Sequence, residues 1–384
     1  MPGWRGIIIL ALLALVGAGL AGWAWQNTRA PLMVAGQGEA LLPALAEKLG
    51  EVARMEVTRG KDALVIRRND KGEWVAGEAA WPVPAAQVRS VLMTLAEMKK
   101  VRPATALPER YRFIHVDDPN PESLATRLVL KDARGRVLAD VILGKDAGEW
   151  LGGGRTAQFV RLAGARQSWL VEGHVRAPLR IADWADATVL KLPAKELAQV
   201  SIRRDGEELR LLAQEGAKAG KATDGKDEWA ALPFRLAEEL PGAKPHAPAL
   251  QRLAYALEDL TFEDVRPAAF LAGSKPLATA RVKTRKGLVL EWRVYHLSGK
   301  GEKDGWWLTG TVTEAGSDAQ TAEKLKKRLN GRAFRVYDSV GESLSLRLED
   351  VIRTEVKNAA GEGSGPEENA TNAPGGASAN GERE

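Results

Sequence analysis

The chain has 384 residues, of which 45% are hydrophobic and 27% charged, enough apolar material for more than one average core. Its formal net charge is +5, with acids and bases interspersed and no long Lys/Arg block, which argues against nucleic acid as a partner. Cysteine is absent, so disulfides, thiolate metal sites and cysteine nucleophiles are excluded together.

Behind Arg5 an unbroken apolar run, Gly6 to Trp25, closes on Trp23 and Trp25. At about 1.5 Å rise per residue such a helix reaches roughly 30 Å, the hydrocarbon thickness of a bilayer, and tryptophans at the end of a span act as interfacial anchors. Residues 1–25 are therefore expected to form a transmembrane helix in contact with inner-membrane lipid. A cleaved secretory signal is the competing reading, because the core Ile7–Val16 is short and Gly19-Leu20-Ala21 offers a small-x-small site. Arg5 and the amino terminus precede the run and Arg29 follows it, so the positive-inside rule leans towards a cytoplasmic N-terminus. The expectation is a single-pass inner-membrane protein with the bulk of its chain in the periplasm.

Residues 26–50 read as a stalk with a helix, since Ala40, Leu41, Ala44, Leu45 and Leu49 fall near helical spacing with Pro43 in the first turn. A first repeat domain is expected over 51–190. It opens with a hairpin in which Met55, Val57, Leu64 and Ile66 separate charged residues around Gly60-Lys61, reaches a strand at Trp74 and breaks at Trp81-Pro82-Val83-Pro84. A helix with the stripe Val88, Val91, Leu92, Leu95 and Met98 closes into Val101-Arg102-Pro103-Ala104, where proline forbids continuation. A second hairpin alternates Leu128, Leu130, Val137, Val141 and Leu143 around Gly135, before Phe159–Leu162, Trp169–Val171 and a helical turn at Asp183-Trp184.

After a linker at 191–195 the same order recurs over 196–357. Val200, Ile202, Leu209 and Leu211 reproduce the first hairpin, with Asp205-Gly206 at the turn, and Trp229 stands for Trp74 behind a polar insert, Glu215–Asp227. The stripe Leu250, Leu253, Leu257 and Leu260 repeats the first helix and closes into Val265-Arg266-Pro267-Ala268, identical to Val101–Ala104. Together these matches predict an internal duplication. A hairpin around Arg285-Lys286-Gly287, a strand at Trp306–Gly310 and a basic helix, Thr321 to Asn330, complete the unit. Residues 358–384, rich in Gly, Ala, Asn and Glu, read as a disordered tail. The fold class expected is α+β: an N-terminal transmembrane helix, then two tandem repeats of mainly antiparallel sheet with one principal helix each.

No motif carries catalysis, and no metal or cofactor is expected. The glycine-rich stretch Gly148 to Thr156 has Arg155 where a phosphate loop needs lysine and connects strand to strand. Asp117, Asp118, Asn120 and Glu122 are interrupted by two prolines and read as a turn rather than a calcium loop. His115, His174, His246 and His296 are far apart in sequence, none with a metal partner at helical spacing. Gly341-Glu342-Ser343-Leu344-Ser345 misses a nucleophile elbow by its last residue. Trp306 and Trp307 are the candidate partner-contact residues: strand alternation turns the two rings to opposite faces, and a ring facing water would mark a contact surface.

An N-terminal anchor, the hairpin opened by Val52, Met55 and Val57, Trp74, a helix closing into Val101–Ala104, a hairpin ending in Leu143-Gly144-Lys145, then Phe159-Val160-Arg161 and Asp183-Trp184 resemble the bacterial domain-of-unknown-function family 4340, as two copies over most of residues 40–350. The second copy departs by its insert and by lacking a clear Leu-Gly-Lys. The resemblance implies membrane anchoring and an auxiliary place beside gliding-type ABC transport systems, and carries over no catalytic residue. The function expected is a noncatalytic, membrane-anchored extracytoplasmic scaffold that binds an envelope protein, with ABC-transporter subunits as candidates. An envelope glycan-binding protein or hydrolase is the alternative.

Overall fold

Strict alternation of apolar and polar residues builds two antiparallel sheets, and turn chemistry sets their registers. The structure is a computed structural model that describes residues 36–148, 153–214, 229, 232–299 and 304–353. The proposed anchor Gly6–Trp25, the polar insert Glu215–Asp227 and the tail 358–384 lie outside the described residues. Among the described residues no helix is long and apolar enough to cross a membrane.

A short helix, α1 (Leu45–Lys48), and a 3-10 turn lead into β1 (Val52–Arg59), β2 (Asp62–Arg68), β3 (Trp74–Ala76) and β4 (Trp81–Pro82). Helix α2 (Ala85–Glu97) precedes β5 (Lys99–Pro103), β6 (Thr126–Asp132), β7 (Val137–Gly148), β8 (Ala157–Leu162) and β9 (Ser168–Glu172). These nine strands form one sheet in the order β4-β3-β2-β1-β6-β7-β8-β9-β5. Strand β10 (Thr188–Leu190) ends the first half. The second half holds β11 (Leu197–Arg204), β12 (Glu207–Ala213), β13 (Phe234–Leu236), β14 (Lys244–Pro245), α3 (Ala247–Glu258), β15 (Leu260–Thr261) and β16 (Asp264–Pro267). It continues with β17 (Ala278–Thr284), β18 (Leu288–Leu297), β19 (Gly305–Ala315), α4 (Ala319–Leu329), β20 (Arg332–Val336), α5 (Asp338–Ser343), α6 (Leu348–Val351) and β21 (Ile352–Arg353). Its eight-stranded sheet runs β13-β12-β11-β17-β18-β19-β20-β16, and β14 pairs with β21 apart from it.

The opening hairpins match residue for residue. Met55 faces Ile66 and Val57 faces Leu64, as Val200 faces Leu211 and Ile202 faces Leu209. Gly60 has positive φ at the first turn, and both Asp205 and Gly206 have it at the second, the conformation that two-residue hairpin loops demand. Bulges recur at the same point, between Val52 and Arg54 and between Leu197 and Gln199. Helix α2 buries Val88, Val91, Leu92 and Leu95, and α3 buries Leu250, Leu253 and Leu257, in one continuous core with the sheet residues.

Four expectations change. First, the ladder sets Trp74 opposite Arg68 and Phe234 opposite the matching Ala213, so the counterpart of Trp74 is Phe234 rather than Trp229. Trp229 sits outside the strand and donates its indole N–H to Ala243 O; the insert had hidden the register. Second, the two identical tetrapeptides occupy the same edge strand, β5 and β16, but Pro103 faces Trp169 where Val265 faces the matching Phe334. They lie two residues out of step, a shift that keeps each side chain on its face. Third, the second half has a further helix, α4, between β19 and β20, where the first half has a tight turn at Gly164, so one principal helix per unit holds only for the first. Fourth, Ala40 and Leu41 are not helical. Leu41 N–H donates to Met98 O and Gly38 N–H to Lys100 O, laying this segment along the edge of β5.

The halves are joined by more than the linker. β10 pairs with β15, Phe262 N–H donates to Ala187 O, and Leu192 N–H donates to Leu257 O. Trp81 stands edge-on to Phe262 at 4.9 Å and to Phe334 at 5.9 Å between ring centroids. Its indole N–H donates to Asp186 O at 3.2 Å. Arg332 donates to Ala79 O and Ala80 O of the first half and to Lys327 O and Arg328 O at the C-terminal end of α4. Those last carbonyls have no partner within the helix, so the guanidinium caps α4 while tying it to the first sheet.

Candidate functional site: the groove between the halves

Strand β4 and its continuation, Trp81-Pro82-Val83-Pro84, form one wall of an open groove of about 760 Å³, and α4 forms the other. Asp186 and Leu190, from the end of the first half, and Lys191 of the linker also line it. Trp81, Val83, Leu190 and Leu325 give an apolar floor, and the rings of Pro82 and Pro84 are exposed beside it. Proline is what lets this strand end a sheet. It offers no N–H to a further strand, so the edge does not template ladder pairing.

The helical wall follows from the α4 sequence. Asp318 accepts from Thr321 N–H at 3.0 Å and starts the helix. Ala322, Leu325 and Leu329 then face the core, which turns Thr321, Lys324 and Arg328 along the groove at spacings of three and four. The helix carries one carboxylate, Glu323, and it pairs at 2.8 Å with Lys326, outside the groove. Among the described residues Lys191, Lys324 and Lys327 have no ion-pair partner, and Arg328 donates to Thr188 O. Burial, with Arg328 nearby, pushes the Arg332 guanidinium below its usual value.

Among the described residues Asp186 is the groove's lone acid. Thr188 hydroxyl and amide donors hold its carboxyl below the usual value of 3.8, with Arg328 and Lys191 adding to the effect. A depressed carboxyl contributes stability that is complete above the unfolded value and is lost as pH falls through the folded one. The stability gap between the native chain and Asp186→Asn should therefore be constant at neutral pH and close below about pH 4. Denaturant titrations at pH 7, 4 and 3 check this; a gap that widens on acidification would contradict it.

The tryptophans singled out from the sequence lie elsewhere. Trp307 is fully buried against Phe270, and Trp306 is 8% exposed and stacked on His296 at 4.3 Å. Neither turns a ring face to water. The four histidines, distant in sequence, come together two by two: His115 and His174 in a groove of the first half, His246 and His296 in a groove of the second. The ladder registers make these grooves counterparts. Val141 and Trp292 occupy one position, hence Lys145 matches His296 and Gln158 matches Trp306. Leu143-Gly144-Lys145 thus corresponds to Val294-Tyr295-His296, which is why the second half shows no Leu-Gly-Lys. Gln158 holds Val175 N–H and the Gly144 carbonyl, whereas Trp306 fills the same position with a ring. Asp118 pairs with Arg161, and the Asn120 side chain accepts from Glu122 N–H, so 117–122 is a turn. No cluster of three or more His, Cys, Asp or Glu suited to a metal occurs among the described residues.

The architecture is that of a mainly antiparallel α+β protein with two like-ordered sheets locked across a basic groove. Residues 74–279 match the family described as Domain of unknown function (DUF4340), and the chain belongs to that family. The match is a single span across the junction, from β3 into β17; it takes in Trp81, Asp186 and Lys191 and ends before α4. No curated protein matches the chain. No solved structure matches it either.

Proposed function

We propose that this chain is a noncatalytic, membrane-anchored extracytoplasmic scaffold, built as two tandem copies of one unit, that holds an envelope protein in the groove between its halves. ABC-transporter subunits are the candidate partners. The observation that carries this reading is the groove itself: its walls come from different halves, and their spacing is set by the Trp81, Phe262, Phe334 and Arg332 contacts. A fixed cleft with an apolar floor, a charged rim and no converging acid–base pair suits shape recognition rather than turnover. The apolar run Gly6–Trp25 supports attachment to the inner membrane. Like strand orders, paired bulges and matched hairpin registers support the two-copy origin. The glycan-binding alternative asks for an exposed aromatic platform, which Trp306 and Trp307 do not supply.

A photo-crosslinking residue placed at Lys324 should give a discrete protein adduct in intact membranes. The same residue at Arg134, in the far β6–β7 turn, should not. Absence of any adduct from Lys324 and from a second groove position, Pro82, would overturn the reading. So would a phosphatase fusion after Arg353 that reports cytoplasm.

A further inference from the structure

We infer that the occupant of the groove is an acidic, amphipathic segment of a partner protein, with carboxylates against Lys191, Lys324, Lys327 and Arg328 and a large apolar side chain over Trp81 and Leu325. This deepens the scaffold reading and rests on it. Besides Arg332, which backbone carbonyls hold, four cations line the groove with one carboxylate, Asp186, and none of the four has an ion-pair partner among the described residues. Unpaired like charges held along one wall repel one another, and an anionic ligand relieves that repulsion. Lys324 and Arg328 are four residues apart on one helix face and so lie about 6 Å apart along its axis, a spacing for successive carboxylates of a peptide.

The floor selects among anionic occupants. Pro82 and Pro84 block strand addition at this edge, so affinity must come from side chains laid into the groove and not from a backbone ladder. The chain's own acidic tail, with Glu362, Glu367, Glu368, Glu382 and Glu384, supplies charge but no large apolar residue beyond Val356. It leaves the floor unfilled. A single lipid headgroup meets only one or two of the cations, whereas a peptide several turns long meets all four.

The probe is a fluorescent sixteen-residue peptide with leucine and phenylalanine on one helical face and glutamate on the other, titrated into the full-length chain in neutral detergent. Replacing its glutamates by glutamine should weaken binding at least about tenfold, as should Lys324→Glu with Lys327→Glu in the protein. Raising salt from 50 to 500 mM should weaken it similarly, since the pairs are solvent-exposed. Equal binding of the glutamine peptide, or full retention by the double variant, overturns the inference. Displacement of the peptide by phosphatidylglycerol vesicles but not by phosphatidylcholine assigns the groove to lipid, and a tenfold gain on deleting residues 358–384 assigns it to the tail; either also overturns it. The membrane adduct at Lys324 is read independently. An adduct without acidic-peptide selectivity leaves the scaffold standing and removes only this occupant, whereas absence of adducts from both Lys324 and Pro82 removes the scaffold.

Discussion

Trp81→Ala should destabilise the chain by about 3–5 kcal/mol, the cost of emptying a large, fully packed aromatic site. The ring is 4% exposed and wedges between Phe262 and Phe334 of the second half, so its loss removes contacts that hold the two sheets together. It also leaves the Asp186 carbonyl without the indole donor. Trp81→Phe keeps much of the ring packing and loses that hydrogen bond, which predicts a smaller cost of about 1 kcal/mol on top of the lost ring area. Denaturant unfolding followed by tryptophan fluorescence measures both. The alanine variant should broaden or split the transition, because the halves no longer unfold as one unit. A sharp single transition within 1 kcal/mol of the native chain, by the same scale, would show that Trp81 does not couple them.

Gly144→Ala should cost about 3 kcal/mol, the upper end of overpacking, because two of the three colliding groups are backbone carbonyls. A β-carbon there meets Ile114 O and Val116 Cγ1, and lies 2.9 Å from Phe159 O. The close approach exists because Lys145 N–H donates to Ile114 O, drawing the 114–116 segment onto β7. His115, at positive φ in that segment, lines the first-half groove and should shift with it. Gly50→Ala is the control. It has no heavy atom within 4 Å of the new carbon and an ordinary backbone, so it should be near neutral. Thermal melts of the two variants side by side decide the point: equal melting temperatures would mean that the 114–116 segment yields freely.

Most of the sheet was legible because its determinants are local. Alternation at Met55, Val57, Leu64 and Ile66, with a glycine at the turn, specifies a hairpin and its register within twenty residues. The α2 and α3 stripes are equally local, as is the stop at Val101–Ala104. Local pattern and structure part where position depends on partners distant in sequence. Trp229 is like Trp74 in residue type, but the ladder puts Phe234 at that register, and an insert carries no register signal. Trp306 and Trp307 were separated correctly by alternation. What covers each face, Gly341 and His296 on one side and Phe270 on the other, is set by elements that arrive later in the chain.

The α+β class, the run of hairpins, the repeated order of elements and a membrane-length apolar segment are all properties of short windows read at a period of two or 3.6. The basic character of Thr321–Asn330 was also visible, but not what it faces. Only the tertiary structure decided that Trp81 and Lys324 would share a groove and that Arg332 would be held by carbonyls of both halves. It also decided that histidines far apart in sequence would pair off into matching grooves. Those arrangements depend on how the two halves meet, which is settled by the volume of Trp81, Phe262 and Phe334 and by hydrogen bonds reaching between residues as distant as Ala79 and Arg332. No local pattern encodes such a contact, because its energy appears only when both partners are already folded.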